Sequence, residues 1–390
     1  MGLLEKLFGR TKWSIDAAPS GGYWRTLAGY SHVYTTFAGS LYEQAIVRRA
    51  IDARATHISK LDVKFIGESH RRLSEAMTNG PNSFMSWSQF LYRLSTILDM
   101  ANSAIILPLT DEYGEISGFF PVFFSSLDVV LDEHDTPWVR FHMKDGKVGA
   151  AEVSRIGIMT RFQYTDDFFG ESNSALLPVI QLIDLQRQAI EQSVRENGNF
   201  RFIARANNFV KDSDLAKERE RLVEANFRNN TSGLLLFNNQ YTDIQQIKSS
   251  PYVVDNEQMR MIEKNVFDYF GVSANVLQNA AIGDELNAFY EGAVEPFAVQ
   301  LSQVLTKMVY TKEETAEGAG VIASAQKMQY MSAKDKLNFA SQMADRGIMN
   351  RNEIRAMLQL PPIPGDAGNA YTMRGEYKVT DENGDESKGE

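Results

Sequence analysis

The chain has 390 residues, 43% hydrophobic, 11% aromatic and 23% charged, ordinary values for a globular protein with room for two or three domains and a sizeable core. Its net charge of −10 argues against a protein that grips nucleic acid through many phosphate contacts. It has no cysteine, which excludes disulfides, thiolate nucleophiles, iron–sulfur clusters and zinc sites with thiolate ligands.

No apolar run approaches the roughly 18 uncharged residues that a membrane span requires. The opening Met1-Gly2-Leu3-Leu4-Glu5-Lys6-Leu7-Phe8 is too short an apolar stretch for a secretion signal and reads as a short amphipathic arm. The histidines (His32, His57, His70, His134 and His142) are scattered, with no pair at metal-ligand spacing. Neither a metal nor a cofactor is expected.

Residues 1–40 are rich in Gly, Ser, Thr and aromatics and show no sustained period, so they read as an arm that orders on assembly. From Leu41 a helical pattern runs through Ala45, Ile46, Arg49, Ala50, Ala53 and Ile58, and Asp62 to Ile66 alternates like a strand. Asn79-Gly80-Pro81-Asn82 is a turn. Ser86 is placed to cap a helix whose face carries Phe90, Leu94, Ile97 and Leu98.

Residues 104–160 are β-rich: Ile105–Leu107, Leu127–Leu131 and Trp138–His142 read as strands, with turns at Asp111-Tyr113-Gly114 and Asp145-Gly146. Gly170 to Ser174 precedes a long helix through Leu177, Ile180, Ile183, Ile190 and Val194, with Pro178 tolerable in its first turn. A strand-like Phe200 to Ile203 and a charged helix from Asp214 to Arg228 come next. Leu234–Phe237 and Tyr241–Ile247 would then form a hairpin around Asn238-Asn239-Gln240.

The most informative stretch runs from Asp255 to Tyr310. Met259, Ile262, Val266 and Phe270 recur at helical spacing and Gly271 stops the helix. Gln278, Asn279, Ala280, Ala281, Ile282, Gly283 and Asp284 have no period and read as a mobile loop. A second apolar face then runs from Leu286 through Phe289, Tyr290, Ala293, Val294, Phe297, Leu301, Val304 and Leu305 to Met308. Pro296 is placed inside that face, where it would bend the helix. After a spacer over Lys312–Gly318, a helix from about Ser332 ends at Gly347. Asn350-Arg351-Asn352-Glu353 opens another that Pro361-Pro362 stops. Residues 372–390, with six acids and three bases, are expected to be disordered.

No phosphate-binding loop, nucleophile elbow or His-Glu-x-x-His pattern appears. Acid pairs such as Asp166–Asp167 or Asp284–Glu285 leave a metal-dependent nuclease as one alternative. Adjacent carboxylates in loops are more often simply solvated.

Five motifs in this order resemble the portal (head–tail connector) proteins of tailed bacteriophages. Val47 to Leu61 is similar to the family's first wing helix, and Pro81-Asn82-Ser83-Phe84-Met85-Ser86 to its Pro-Asn-Pro…Met-Thr turn. Gly170 to Leu176 stands where the family has Gly-x-Ser-Pro-Leu, here with a two-residue insertion. Asn256 to Leu277 contains Phe270-Gly271-Val272-Ser273, similar to Phe-Gly-Val-Pro. Asp345 to Arg355, followed by Leu360 to Asp366, matches most closely. Ser273 stands for the usual proline, and Met159-Thr160-Arg161 for the family's Ile-x-His.

The resemblance implies an α+β subunit with an α/β wing, a two-helix stem, a small α/β clip, a long kinked helix and a crown-like helical region. In this chain it divides residues 1–24 (arm), 25–171 (wing), 172–197 (stem helix), 198–253 (clip) and 255–275 (second stem helix). Residues 276–286 would be the tunnel loop, 286–327 the kinked wing helix and spacer, 328–371 the crown-like region and 372–390 the tail. It also implies no enzymatic activity and a closed ring of identical subunits, usually twelve, at a capsid vertex. Double-stranded DNA would enter and leave through the bore. The terminase large subunit, a head–tail adaptor, the major capsid protein and scaffold would be partners, and a membrane would not. Assembly would occur in the host cytoplasm. Another phage head or adaptor subunit is a further alternative.

On this division Gln278 to Asp284 would face the DNA, and Arg201, Arg205, Lys211 and Arg228 would mark the clip surface. Asp255–Lys312 carries eight acids against four bases, a wall that repels DNA at short range and lets it slide. Residues 195–228 are locally positive, eight bases against six acids, which fits a surface for an acidic partner or an ordinary helix laced with pairs such as Glu218–Arg221.

Overall fold

The computed structural model describes residues 25–31, 41–67, 71–78, 80–111, 113–143, 146–197, 201–206, 216–217, 219–221, 224, 241–247, 256–325, 333–358 and 360–371. The expected N-terminal arm (1–24), the tail (372–390), Lys211 and Arg228 lie outside these residues. The chain divides into two compact units: one runs up to Leu177 and resumes at Glu263, and the other spans Pro178–Ile262.

In the first unit, α1 (Ala45–Ile58) buries Val47, Ala50, Ile51, Arg54, Ala55 and Ile58. Of the expected pattern, Ala50 and Ile58 are buried, Ile46 and Ala53 are half-buried, and Ala45 and Arg49 are exposed. The buried face also takes in Val47, Ile51, Arg54 and Ala55, which that pattern leaves out. A short helix, α2 (Arg71–Met77), precedes α3 (Trp87–Ala101). Ser86 caps α3 as expected: its hydroxyl accepts from the Gln89 amide at 3.3 Å, and the Gln89 side chain accepts from the Ser86 amide at 3.0 Å. Phe90, Leu94, Ile97 and Leu98 are buried, and α3 packs against α1.

Three sheets build on these helices. β3 (Ser103–Thr110) lies between β4 (Ile116–Val122) and β8 (Gly157–Thr160), both antiparallel. β3 has little alternation because its first five residues are all buried. A second sheet has the order β1-β5-β6-β7, with β1 (Arg25–Ser31), β5 (Ser126–Leu131), β6 (Pro137–His142) and β7 (Val148–Glu152). Residues 25–31 are therefore a paired strand rather than part of an arm. A register shift between Thr26 and Ala28 breaks the alternation by which a strand is recognised.

The third sheet pairs β2 (Asp62–Ile66) with β11 (Gly320–Ser324). β11 follows α9 (Lys312–Ala316), which Thr311 and Glu314 close with a reciprocal cap. Residues 312–324 are thus helix and strand where sequence reads only a spacer. Near the C-terminus come α10 (Ala333–Asp345), α11 (Arg351–Met357) and α12 (Asp366–Asn369). Asn350 caps α11: its side chain accepts from the Glu353 amide at 2.8 Å, and Glu353 returns the bond at 2.7 Å.

In the second unit, α4 (Leu177–Asn197) follows a 3₁₀ turn at Asn173–Leu176, with Pro178 in its first turn. β9 (Arg201–Ala206) pairs antiparallel with β10 (Tyr241–Ile247). The expected hairpin partner of β10, Leu234–Phe237, lies outside the described residues. In that register Arg201 stands opposite Ile247 and Arg205 opposite Thr242.

Candidate functional site

The candidate site is the connection between α5 (Asn256–Phe270) and α8 (Glu295–Val309). Ile262, Val266 and Phe270 are buried on one face of α5, as their spacing predicts. Gly271 ends the helix with φ +69°, its amide bonded to the Asp268 carbonyl at 3.0 Å while the Val272 amide bonds to that of Phe267 at 3.0 Å.

The chain beyond Gly271 forms a built turn and not an unstructured loop. Ser273 accepts from the Val276 amide at 3.3 Å and caps a single helical turn, α6 (Ala274–Leu277). The amides of Ala280 and Ala281 both bond to the Asn275 carbonyl, at 2.8 and 3.2 Å. Asn279 (φ +56°) and Gly283 (φ +58°) make two left-handed corners. Between them Ala281 is buried and Ile282 is 81% exposed. α7 (Asp284–Phe289) then begins, and the Glu285 carboxylate accepts from Ser273 Oγ at 2.8 Å and Asn275 Nδ2 at 2.9 Å. The span 276–286 is therefore helical at both ends. Only 278–283 connects them, because the Glu285 carboxylate ties one end to the other.

The long helix is interrupted, one turn earlier than Pro296. Tyr290–Val294 is a π-helical segment in which the Glu295 amide bonds to the Tyr290 carbonyl. Pro296 falls in the first turn of α8 and is exposed, so it lies outside the buried face and not within it. A proline ring crowds the carbonyl four residues back, here Gly292, and offers that carbonyl no donor. A wider turn directly before it relieves the crowding.

Behind this connection is a buried polar cluster. Arg54 donates to the Ala293 carbonyl from Nε (3.1 Å) and Nη2 (3.0 Å), and its Nη1 pairs with Asp99 Oδ1. Arg161 donates to the same Asp99 oxygen at 2.9 Å and to the Tyr269 carbonyl at 2.8 Å. Its guanidinium lies 4.5 Å from the centre of the Phe162 ring. Burial lowers the pKa of Arg161; Asp99 opposes that shift and Arg54 adds to it. The Tyr269 hydroxyl donates to Asn173 Oδ1 at 2.7 Å, and Asn173 donates to the carbonyls of Asp99 and Met100 at 3.0 and 2.7 Å. A cavity of about 630 Å³ adjoins the cluster, lined by Arg54, Arg161, Phe270, Glu291, Pro296 and Gln300 among others.

None of Arg54, Asp99, Arg161 or Asn173 stands out as a site residue in the sequence. The available signal was an arginine on the apolar face of α1 matched by an aspartate within α3. Of the four carboxylates raised for nuclease chemistry, one in each pair is held by structural bonds: Asp166 accepts from the amides of Phe168 (2.7 Å) and Phe169 (3.0 Å), and Glu285 holds the turn. Among the described residues no group of three or more acidic or histidine side chains is gathered to hold a metal, and no helix is long and apolar enough to cross a membrane.

His57 of α1 packs against the π segment, its Nδ1 2.9 Å from the Tyr290 hydroxyl and its ring edge-on to Phe289 and Tyr290. Burial, and then the Lys60 charge, lower its pKa from 6.5 to about 4. The folded chain thus holds His57 neutral, so its contribution is complete above the unfolded pKa near 6.5 and is lost as pH falls toward 4. Discounted for partial exposure, this is about 1 kcal/mol. Urea midpoints at pH 7 and pH 5 should differ less in His57→Gln than in the wild type; an unchanged difference would refute it.

A family model described as phage portal protein matches residues 45–359. The fold is similar to that of a chain in the neck of an empty gene transfer agent particle computed with C6 symmetry. That chain is 16% identical, with a TM-score of 0.57, and the match covers 89% of this chain and 98% of that one. A chain in the neck of the native particle computed with C12 symmetry is also similar, at 16% identity and a TM-score of 0.54, covering 83% and 92%. An HK97-family phage portal protein from Corynebacterium diphtheriae matches at 14% identity and a TM-score of 0.48, covering 73% and 93%. No curated protein matches the chain.

Proposed function

The chain belongs to the phage portal protein family, a structural family, and on that premise we propose that it is the subunit of a closed twelve-membered ring through which double-stranded DNA is packaged and later ejected. The observation that carries this reading is the family match over residues 45–359. The likeness to chains of symmetric particle necks supports a ring in the virion, and in this reading the ring sits at the capsid vertex. In this reading residues 25–171 are the wing, 172–197 and 255–275 the stem, 198–253 the clip and 328–371 the crown. The turn over Gln278 to Asp284 faces the bore, with Ile282 at its tip. Arg201 and Arg205 contribute to a clip surface that meets the terminase large subunit and then the head–tail adaptor. The wing meets the major capsid protein.

The charge of the α5–α8 region suits passage rather than grip. The eight acids and four bases of Asp255–Lys312 neutralise few phosphates, so DNA meets no deep electrostatic trap. Negative-stain microscopy of the purified protein should show rings with a central hole. Binding to duplex DNA at physiological salt should be no tighter than about 10⁻⁴ to 10⁻⁶ M and independent of sequence. A chain that stays monomeric at every concentration, or a nanomolar sequence-dependent complex, would overturn the reading.

A further inference from the structure

We propose that Asp99, through Arg54 and Arg161, is a positioning residue that holds both roots of the 271–293 connection at one point, so that the wing helices set where the tip of the turn stands. This rests on the reading of that turn as the DNA-facing element. The two roots are the end of α5 and the π segment before α8. At the first, the Tyr269 carbonyl belongs to the last helical turn, where carbonyls have no intrahelical donor, and Arg161 supplies one at 2.8 Å. At the second, the Ala293 carbonyl accepts two bonds from Arg54. Both arginines converge on one oxygen of Asp99.

The charge balance gives these contacts their importance. Two guanidiniums share one carboxylate in an interior where the side chains of Arg54, Asp99 and Arg161 are 7%, 0% and 19% exposed. The second positive charge is met by the two root carbonyls and by the ring faces of Phe162, Tyr269 and Phe270, 4.5 to 5.9 Å from the Arg161 guanidinium. The roots therefore complete the solvation of the arginines, and losing the carboxylate would drive the arginines, and with them the roots, apart. The connection itself is stiffened by Glu285 bonding to Ser273 and Asn275. A displacement of the roots then reaches Ile282 undiminished.

The test uses the full-length chain as Arg161→Lys, and Asp99→Asn beside it. Lysine keeps the charge but lacks the planar fork that reaches Asp99 and the Tyr269 carbonyl together. Ring formation is followed by microscopy, amide hydrogen exchange by mass spectrometry, and DNA packaging in a reconstituted head. Rings of Arg161→Lys should form, and their exchange over 271–293 should rise roughly tenfold or more, the factor expected for one lost charge-assisted bond. Exchange over β3 and β4 should stay unchanged, and packaged DNA should fall. Asp99→Asn should show the same pattern more strongly wherever it folds.

Unchanged exchange over 271–293 overturns the proposal, as does an equal rise in β3 and β4. Failure of Arg161→Lys to form rings also overturns it, since the cluster would then serve folding and not position. Faster exchange over 271–293 with undiminished packaging upholds the anchoring and removes the DNA-facing reading of the turn.

Discussion

Gly170→Ala is expected to eliminate folded protein at ordinary growth temperature. A Cβ at this position would stand 2.1 Å from the Arg161 carbonyl oxygen and 2.3 Å from that of Asn102. Both obstacles are backbone, so no side-chain rotation relieves them. The strands of the crossing are also bonded to one another: the Gly170 amide to Ser103 Oγ at 2.9 Å, and the Arg161 amide to the Asn102 carbonyl at 2.8 Å. Moving one displaces the others, including Arg161, one of the two cations on Asp99. The cost should exceed about 4 kcal/mol, in the tail of single substitutions. Thermal unfolding followed by circular dichroism measures it, and a wild-type midpoint would show that the chains can part at no cost.

Val266→Asp should be comparably severe. Val266 is 0% exposed on the buried face of α5, one turn before Phe270. An aspartate there would lose the transfer energy of the valine and bring in a carboxylate with no assigned partner. A loss above about 4 kcal/mol is expected. Met261→Asp is the control: Met261 lies on the same helix but is 66% exposed, so its substitution should stay within about 0.5 kcal/mol. If both variants melt together, helix propensity rather than burial would govern the site.

The features legible in the sequence are local ones. Helix caps act over three residues, so Ser86 with Gln89 and Asn350 with Glu353 are readable from the chain alone and form as expected. The apolar face of α5 from Met259 to Phe270 repeats at helical spacing over about three turns, long enough to give a clear period. Among the short strands, Asp62–Ile66 gives one and others do not. β8 has four residues and β1 contains a register shift, so neither offers enough alternation to rise above its surroundings. β11 exists because β2 is there to pair with it.

Pro296 lies off the buried face for a related reason. A π turn adds a residue to the helical repeat, and no composition marks where that happens before the fold is known. The cluster on Asp99 is the least legible. Arg54 and Asp99 are 45 residues apart and Arg54 and Ala293 are 239 apart, and the acceptor at Ala293 is backbone, which carries no signature in the side chains. Charged residues in apolar stripes, such as Arg54 on the buried face of α1, are the trace such clusters leave.

The antiparallel pairing of β2 with β11 has a bearing on how the chain is made. The strand at Asp62–Ile66 leaves the ribosome long before its only described neighbour in that sheet, Gly320–Ser324. At roughly 5–20 residues per second, the interval is on the order of ten seconds or more. Throughout it one strand edge is open, and Arg54 has its carboxylate on α3 but not its carbonyl on the π segment. Contacts this distant in sequence are slow to close and leave a nascent chain exposed to pairing with its neighbours. In a cell making many copies for one assembly, the first encounters between subunits thus compete with completion of this sheet, which favours holding the early chains apart until residue 324 has emerged.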